Sequence, residues 1–303
     1  MADDYAALLD AVRGIRWPAR ASVRGGIPGS HTSRLRGISA EFTEYRPYRQ
    51  GDDPRRIDWK LFARSDRAYI RLSNERAILP TMIVLDASAS MAFPVGTHAK
   101  WKLAAQLGVG LGAVARNSGD PVGMVIVRGD EPLVLAPRTR RSVTHDLIRA
   151  VSETRPGGNA PLSPSLSTAA QSAGRLVLVT DFLGDAAELL AAASRWVVAG
   201  REVHAIHVVA KEELDPSREN AMVSDPEAPE MRRPMVGEAR DRYLAAFAAW
   251  REGLAHDWSD AGVSYTMGVP GEEAPDHLIR RVAAIRAAGA GAGAGGVSGT
   301  AIA

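Results

Sequence analysis

The sequence contains no cysteine. Disulfides, thiolate metal sites, iron–sulfur clusters and cysteine nucleophiles are excluded, and any metal must be held by oxygen or imidazole. A strong charge of one sign is also missing: 37 basic and 35 acidic residues leave a net +2 over 303 residues. That balance is too even to indicate a nucleic-acid binder from charge alone. Lysine is scarce, four residues against 33 arginines, a skew that follows genome base composition more often than function. Long apolar runs are absent as well. Residues 79–85 stop at Asp86 and residues 189–200 include Arg195, so neither reaches the ~20 apolar residues of a membrane span. Asp3 and Asp4 stand where a signal peptide carries positive charge, and the expected location is the cytoplasm. No G-x-x-x-x-G-K-[ST] and no G-x-S-x-G occurs, which argues against a P-loop and a nucleophile elbow.

What is present is the composition of a folded protein, 46% hydrophobic and 24% charged. Three zones differ in texture. Residues 1–78 form an N-terminal region rich in Arg, Gly and Pro, with a local excess of basic residues. Residues 79–286 alternate apolar strand-like runs with helical periodicity. Residues 287–303 are an Ala/Gly tail with little side chain to pack, expected to be disordered. In the middle zone, residues 81–85, 122–127, 176–179, 202–209 and 263–267 read as strands. Residues 100–117, 140–152, 163–173, 186–199, 240–256 and 275–287 read as helices. Residues 133–136 follow Arg128-Gly129-Asp130-Glu131-Pro132 as the second arm of a hairpin. The Pro-punctuated segment 216–234 has room for a small hairpin. The expected fold class is α/β, a mostly parallel sheet with one antiparallel edge strand and helices on both faces.

Two central strands end in a carboxylate. Asp86 follows Ile83-Val84-Leu85, and Asp181 follows Leu178-Val179-Thr180. Ligands of open α/β sheets bind beyond the carboxyl ends of the strands. Asp86, Ser88 and Ser90 alternate, so a loop folding back over the strand end could aim a carboxylate and two hydroxyls at one point. Such hard oxygen donors suit Mg²⁺ or Mn²⁺. The competing structural account makes the aspartates helix caps and the serines turn residues.

Asp86-Ala87-Ser88-Ala89-Ser90-Met91 resembles the metal-ion-dependent adhesion site of von Willebrand factor A domains. That resemblance implies a three-layer, Rossmann-like A-type fold in which Asp86, Ser88 and Ser90 bind a divalent cation and Asp181 assists through water. The family's Gly-Gly-Thr appears here as Gly157-Gly158-Asn159, so Asn159 offers a carbonyl where the family offers a hydroxyl; Ser163 or Ser165 could substitute. Upstream, residues 44–60 with Ala63-Arg64 and Glu75-Arg76 resemble the hallmark stretch of bacterial domain-of-unknown-function-58 proteins, which precedes an A-type domain. The turn Ser224-Asp225-Pro226-Glu227 and the pair Arg242-Tyr243 also match that family. The implied function is a non-enzymatic, divalent-cation-dependent protein-binding module. Its implied partner is a MoxR-type AAA+ ATPase in chaperone-like assembly, with a partner's Asp or Glu completing the cation's coordination.

Two further readings compete. A phosphohydrolase of haloacid dehalogenase type also starts from an Asp after a buried strand, but it needs a second carboxylate two residues on, where this chain has Ser88. Nucleic-acid binding through residues 44–76 would use their nine basic residues and interleaved aromatics, but acids are mixed among them, which favours ion pairing. Asp52, Asp53 and Asp58 are expected to pair with nearby arginines. Arg49, Asp52, Asp53, Arg55, Arg56 and Trp59 are the candidates for a partner-docking surface. His204 and His207 lie three apart in a strand and face opposite sides, so they do not form a zinc pair.

Overall fold

Aliphatic and β-branched runs without polar alternation make strands buried on both faces, and these runs organise the chain. The computed structural model describes residues 2–19, 28–37, 43–50, 52, 54, 57–216, 221–224, 232–235 and 237–285. The tail from residue 287, the residues Asp53, Arg55 and Arg56, and the Asp225-Pro226-Glu227 turn lie outside them.

Helix α1 (Ala2–Ala11) comes first, followed by β1 (Pro28–Gly37), β2 (Thr43–Pro47), α2 (Trp59–Ser65) and β3 (Tyr69–Ala77). The next group is β4 (Thr81–Asp86), a 3-10 turn Ala89–Ala92, α3 (Ala99–Asn117), β5 (Val122–Val127), β6 (Leu133–Arg138), α4 (Val143–Glu153) and α5 (Ser163–Gln171). Then come β7 (Arg175–Thr180), α6 (Ala186–Val198), β8 (Glu202–Val208), α7 (Lys211–Leu214), β9 (Ala221–Ser224) and β10 (Arg232–Met235). Helix α8 (Gly237–Asp260), β11 (Ser264–Gly268) and α9 (Pro275–Ala284) close the described chain.

Six strands form the main sheet in the order β11-β8-β7-β4-β5-β6. Every pair is parallel except β5–β6, the hairpin around Arg128-Gly129-Asp130. The expected class is therefore what the chain adopts: a three-layer α/β fold of A-type with one antiparallel edge strand. A small antiparallel sheet, β1-β3-β2, precedes it, and β9–β10 is the hairpin of the Pro-punctuated segment. Element ends move by a few residues from expectation. The largest change is α8, which runs 24 residues because its half-buried face continues past His256 to the fully buried Trp258.

One face of the sheet packs against α1, α3, α4 and α9 through Leu8, Leu107, Leu111, Leu147 and Ile279. The other packs against α5, α6 and α8 through Leu166, Leu189 and Trp258. Helix α3 is buried on nearly all sides, and glycine permits its closest approach: a Cβ on Gly110 would lie 2.2 Å from Ile279 of α9. Sequence periodicity did not mark α1, yet Tyr5, Leu8, Val12 and Trp17 are all buried in this same core.

Candidate functional site

Strand order reverses between β4 and β7. From β4 the chain proceeds outward through β5 to β6, then returns beside β4 as β7 and proceeds the other way. The crevice of an open α/β sheet forms at such a switch point. Register brings the chemistry together there, since Leu85 pairs with Val179 and Asp86 is thus level with Thr180. The Thr180 hydroxyl donates to Asp86 Oδ2 at 2.6 Å, and the Ser88 backbone N–H donates to Asp86 Oδ1 at 2.8 Å. Ser88 and Ser90 share a hydrogen bond between their Oγ atoms, 3.0 Å apart. Immediately after Asp181, buried Phe182 adopts a left-handed backbone, φ 58°, an uncommon conformation for a bulky residue. Its ring is held edge-on by Trp258 and His207, at centroid distances of 4.9 and 5.4 Å.

The glycine loop is fastened to this strand end. Gly157 N–H donates to Ala87 O at 2.8 Å, and Ala89 N–H donates to Gly158 O at 2.9 Å. Asn159 is thereby placed on the wall of a cleft of about 420 Å³ that Asp86, Ser88, Thr180 and Asp181 also line. Ser90 joins through its bond to Ser88. Ser163 and Ser165 sit in the first turn of α5, outside that lining; the Ser163 N–H is spent on Asp185, a carboxylate that caps the helix. The loop depends on Gly158, whose φ is +79° and where an added Cβ would lie 2.1 Å from Arg128 O. Gly158→Ala should cost about 1–3 kcal/mol through strain and shift Asn159. Chemical denaturation of the variant beside wild type measures that cost.

Three residues of the site were not singled out from sequence: Thr180, Lys100 and Glu213. Lys100, in the first turn of α3, is fully buried. Its Nζ lies 2.6 Å from Asp181 Oδ2 and 2.8 Å from Glu213 Oε1. The contact to Asp181 is a buried charge pair. Burial alone would lower the Lys100 pKa, but Asp181 and Glu213 outweigh it and the pKa is raised. Asp86 behaves oppositely: burial, reinforced by the negative charge of Asp181, pushes its pKa up to about 6 against the hydrogen bonds from Thr180 and Ser88.

The donor set fits a hard divalent cation. Two cis oxygens on Mg²⁺, with bonds of 2.0–2.1 Å, are about 2.9 Å apart, and the serine hydroxyls already have that spacing. Asp181 and Glu213 share the Lys100 ammonium, so together with Asp86 the cluster carries an excess of two negative charges when all three carboxyls are ionised. Among the described residues no group of three or more His, Cys, Asp or Glu is placed to hold a metal, so serine hydroxyls would be indispensable ligands.

The N-terminal candidates divide. Asp52 is bound by both guanidinium nitrogens of Arg46, at 2.7 and 2.8 Å, and accepts the Arg49 N–H at 2.8 Å. Asp58 caps α2 by accepting from the Lys60 and Leu61 N–H groups. Trp59 is 62% exposed beside Phe62, a pair in edge contact at 6.0 Å. His204 and His207 face opposite sides, as strand alternation requires: His204 meets Trp17, while His207 meets Phe182 and Trp250.

Comparison with known proteins adds the following. Residues 44–253 match the family described as "Protein of unknown function DUF58". Uncharacterised proteins of Mycobacterium tuberculosis and Mycobacterium bovis are 28% identical over 257 residues, covering 82% of this chain and 80% of theirs. An aerotolerance-related membrane protein from Bacteroides fragilis is similar in structure, with 17% identity, 67% of this chain and 96% of that one covered, and a TM-score of 0.43. BatB from Bacteroides thetaiotaomicron gives 17% identity, 68% and 98% coverage, and 0.42. The SpRpn10 VWA domain gives 14% identity, 67% and 94% coverage, and 0.39. No helix among the described residues is long and apolar enough to cross a membrane.

Proposed function

Because the chain belongs to the DUF58 family, we propose that it is a non-enzymatic protein-binding module whose strand-end cleft holds Mg²⁺ or Mn²⁺ and docks a partner there. The observation that carries this reading is the convergence of Asp86, Ser88, Ser90 and Asp181 at the switch point between β4 and β7. In this role Asp86, Ser88 and Ser90 bind the cation, Thr180 orients Asp86, and Asp181 and Asn159 act from the cleft wall. A bound cation supplies a hard electrophilic centre that attracts a partner's carboxylate, and the surrounding surface supplies selectivity. Holding rather than turnover is supported by Asp86, both of whose oxygens are hydrogen-bonded, and by Ser88 standing where a phosphohydrolase needs an acid. The partner class is the one that the resemblance implies, a MoxR-type AAA+ ATPase, and the site of action would be the cytoplasm. The exposed Trp59–Phe62 pair, with Arg49 nearby in sequence, is a second contact surface for it.

Thermal unfolding in Mg²⁺, Mn²⁺ or chelator tests the cation. At a hundredfold excess over the dissociation constant, a ligand of the native state adds about 2.7 kcal/mol, or roughly 5 °C for a chain of this size. Asp86→Ala should abolish the response. A wild-type Tm indifferent to all metals removes the cation from this reading. Capture of the ATPase that persists unchanged in chelator and in Asp86→Ala would move docking away from the cleft.

A further inference from the structure

We propose that Lys100 sets the cation affinity of the strand-end site by holding Asp181 away from the metal, so that the cation is bound weakly until a partner adds its own ligand. The inference rests on the cation reading above and deepens it.

A fully buried lysine is unusual, and this one is held in place from two directions. Glu213 is itself fixed, because its Oε2 accepts the Ala210 N–H at 2.6 Å while Oε1 faces the Lys100 Nζ at 2.8 Å. Asp181 places Oδ1 on the Leu183 N–H at 3.2 Å and Oδ2 at 2.6 Å from the same ammonium. Lys100 therefore connects the start of α3, the end of β7 and α7. With the ammonium so close, the negative charge of Asp181 is largely neutralised before any metal arrives. Among the described residues, Asp86 is left as the carboxylate of the cluster without a cationic partner, beside the serine hydroxyls.

Cation affinity at oxygen sites is tuned by the number of charged ligands and by their rigidity. One free carboxylate and two hydroxyls make a weak site, and a like charge nearby in a buried setting weakens it further. Such a site gains much from one more anionic oxygen. Metal and partner then bind with positive coupling, each raising the affinity for the other by the same factor. Without Lys100, Asp181 and Glu213 would be free to turn their charge toward the metal.

The experiment is a titration of the full chain with Mn²⁺, reading free Mn²⁺ by electron paramagnetic resonance, for wild type, Lys100→Met and Lys100→Arg. Lys100→Met should bind Mn²⁺ at least tenfold more tightly than wild type and should recover in Mn²⁺ the thermal stability it loses in chelator. Lys100→Arg, which retains the charge, should stay within about threefold of wild type. Should Lys100→Met not fold, the double variant Lys100→Met/Glu213→Gln, with one fewer buried charge, carries the same expectation of tighter binding. Equal affinity in wild type and Lys100→Met, or equal tightening in Lys100→Arg, overturns it and leaves the cation reading intact. No binding by any variant overturns both.

Discussion

Arg175→Met should lower the stability of the chain by about 3–5 kcal/mol, the cost of removing one partner from a buried ion network. A loss of that size is roughly 5–9 °C in Tm for a chain of this length. Arg175 opens β7 at the edge opposite the candidate site, and its side chain is fully buried. Its Nε donates to Glu202 Oε2 at 2.9 Å, and one terminal nitrogen faces Asp120 Oδ2 at 3.4 Å. The other terminal nitrogen donates to the Trp17 and Pro18 carbonyls, at 3.3 Å each, while the guanidinium lies 4.2 Å from the centre of the Trp17 ring. Asp120 in turn accepts the Leu79 N–H at 3.0 Å, just before β4. One side chain therefore ties the segment after α1 to the starts of β4, β7 and β8. Methionine fills similar space but leaves Asp120 and Glu202 as buried carboxylates without the guanidinium between them. Lysine keeps the charge but lacks the planar fork that reaches four acceptors, so Arg175→Lys should recover only part of the loss. Pairing Arg175→Met with Glu202→Gln should cost less than the sum of the two single changes, because the second removes a charge the first stranded. Urea unfolding of wild type and the four variants checks this; an Arg175→Met chain within about 1 kcal/mol of wild type would show that the network contributes little.

The same network shows where reading the sequence stops. The central strands were legible because residues 81–85, 122–127 and 176–179 are short, near-continuous apolar runs rich in β-formers, the pattern of a strand covered on both faces. Asp86 and Asp181 were legible because each closes such a run. Arg175 and Lys100 were not. A single arginine before a strand or a lysine opening a helix looks solvated locally; their burial depends on Asp120 and Glu202, or on Glu213, 113 residues beyond Lys100. Helix α1 was hidden for a related reason. Its partners α3 and α9 lie far along the chain, and ten residues with three acidic side chains and alanines show too little apolar periodicity to declare a buried face. Asn159 shows the converse: only the resemblance of Gly157-Gly158-Asn159 to the A-domain Gly-Gly-Thr pointed to its loop, and two backbone hydrogen bonds, to Ala87 and from Ala89, fasten that loop to the strand end.

Between pH 7 and pH 4.5, in chelator, Asp86→Asn should lose about 2.5 kcal/mol and His207→Gln should gain about 2 kcal/mol, with wild type between them. His207 is buried, and desolvation lowers its pKa to about 3 against an ordinary 6.5. The charge of Asp181 opposes that shift, while Lys100 and Arg251 add to it. Its Nδ1 lies 2.5 Å from the Tyr265 hydroxyl; the Tyr265 pKa is raised by burial, so the phenol keeps its proton and can donate it to a neutral imidazole. A group whose folded pKa is depressed stabilises the fold above its unfolded pKa and loses that contribution as pH falls. For His207 the loss begins near pH 6.5 and amounts to about 1.4 kcal/mol per pH unit, because the unfolded chain accepts a proton that the folded one refuses. Asp86 has the opposite sign. Its folded pKa of about 6 exceeds the ordinary 3.8, so acidification from pH 6 relieves a buried carboxylate and adds stability down to about pH 4, up to about 3 kcal/mol. Wild type combines the two and should stay nearly flat over the window. Asn at 86 removes the compensating gain and exposes the His207 loss; Gln at 207 keeps an acceptor for Tyr265 and exposes the Asp86 gain. Parallel slopes in the two variants would place the acid response elsewhere in the chain. Saturating Mn²⁺ should change the wild-type profile in one direction: a cation on Asp86 lowers its pKa, removes its gain below pH 6, and makes the protein more acid-labile than it is in chelator.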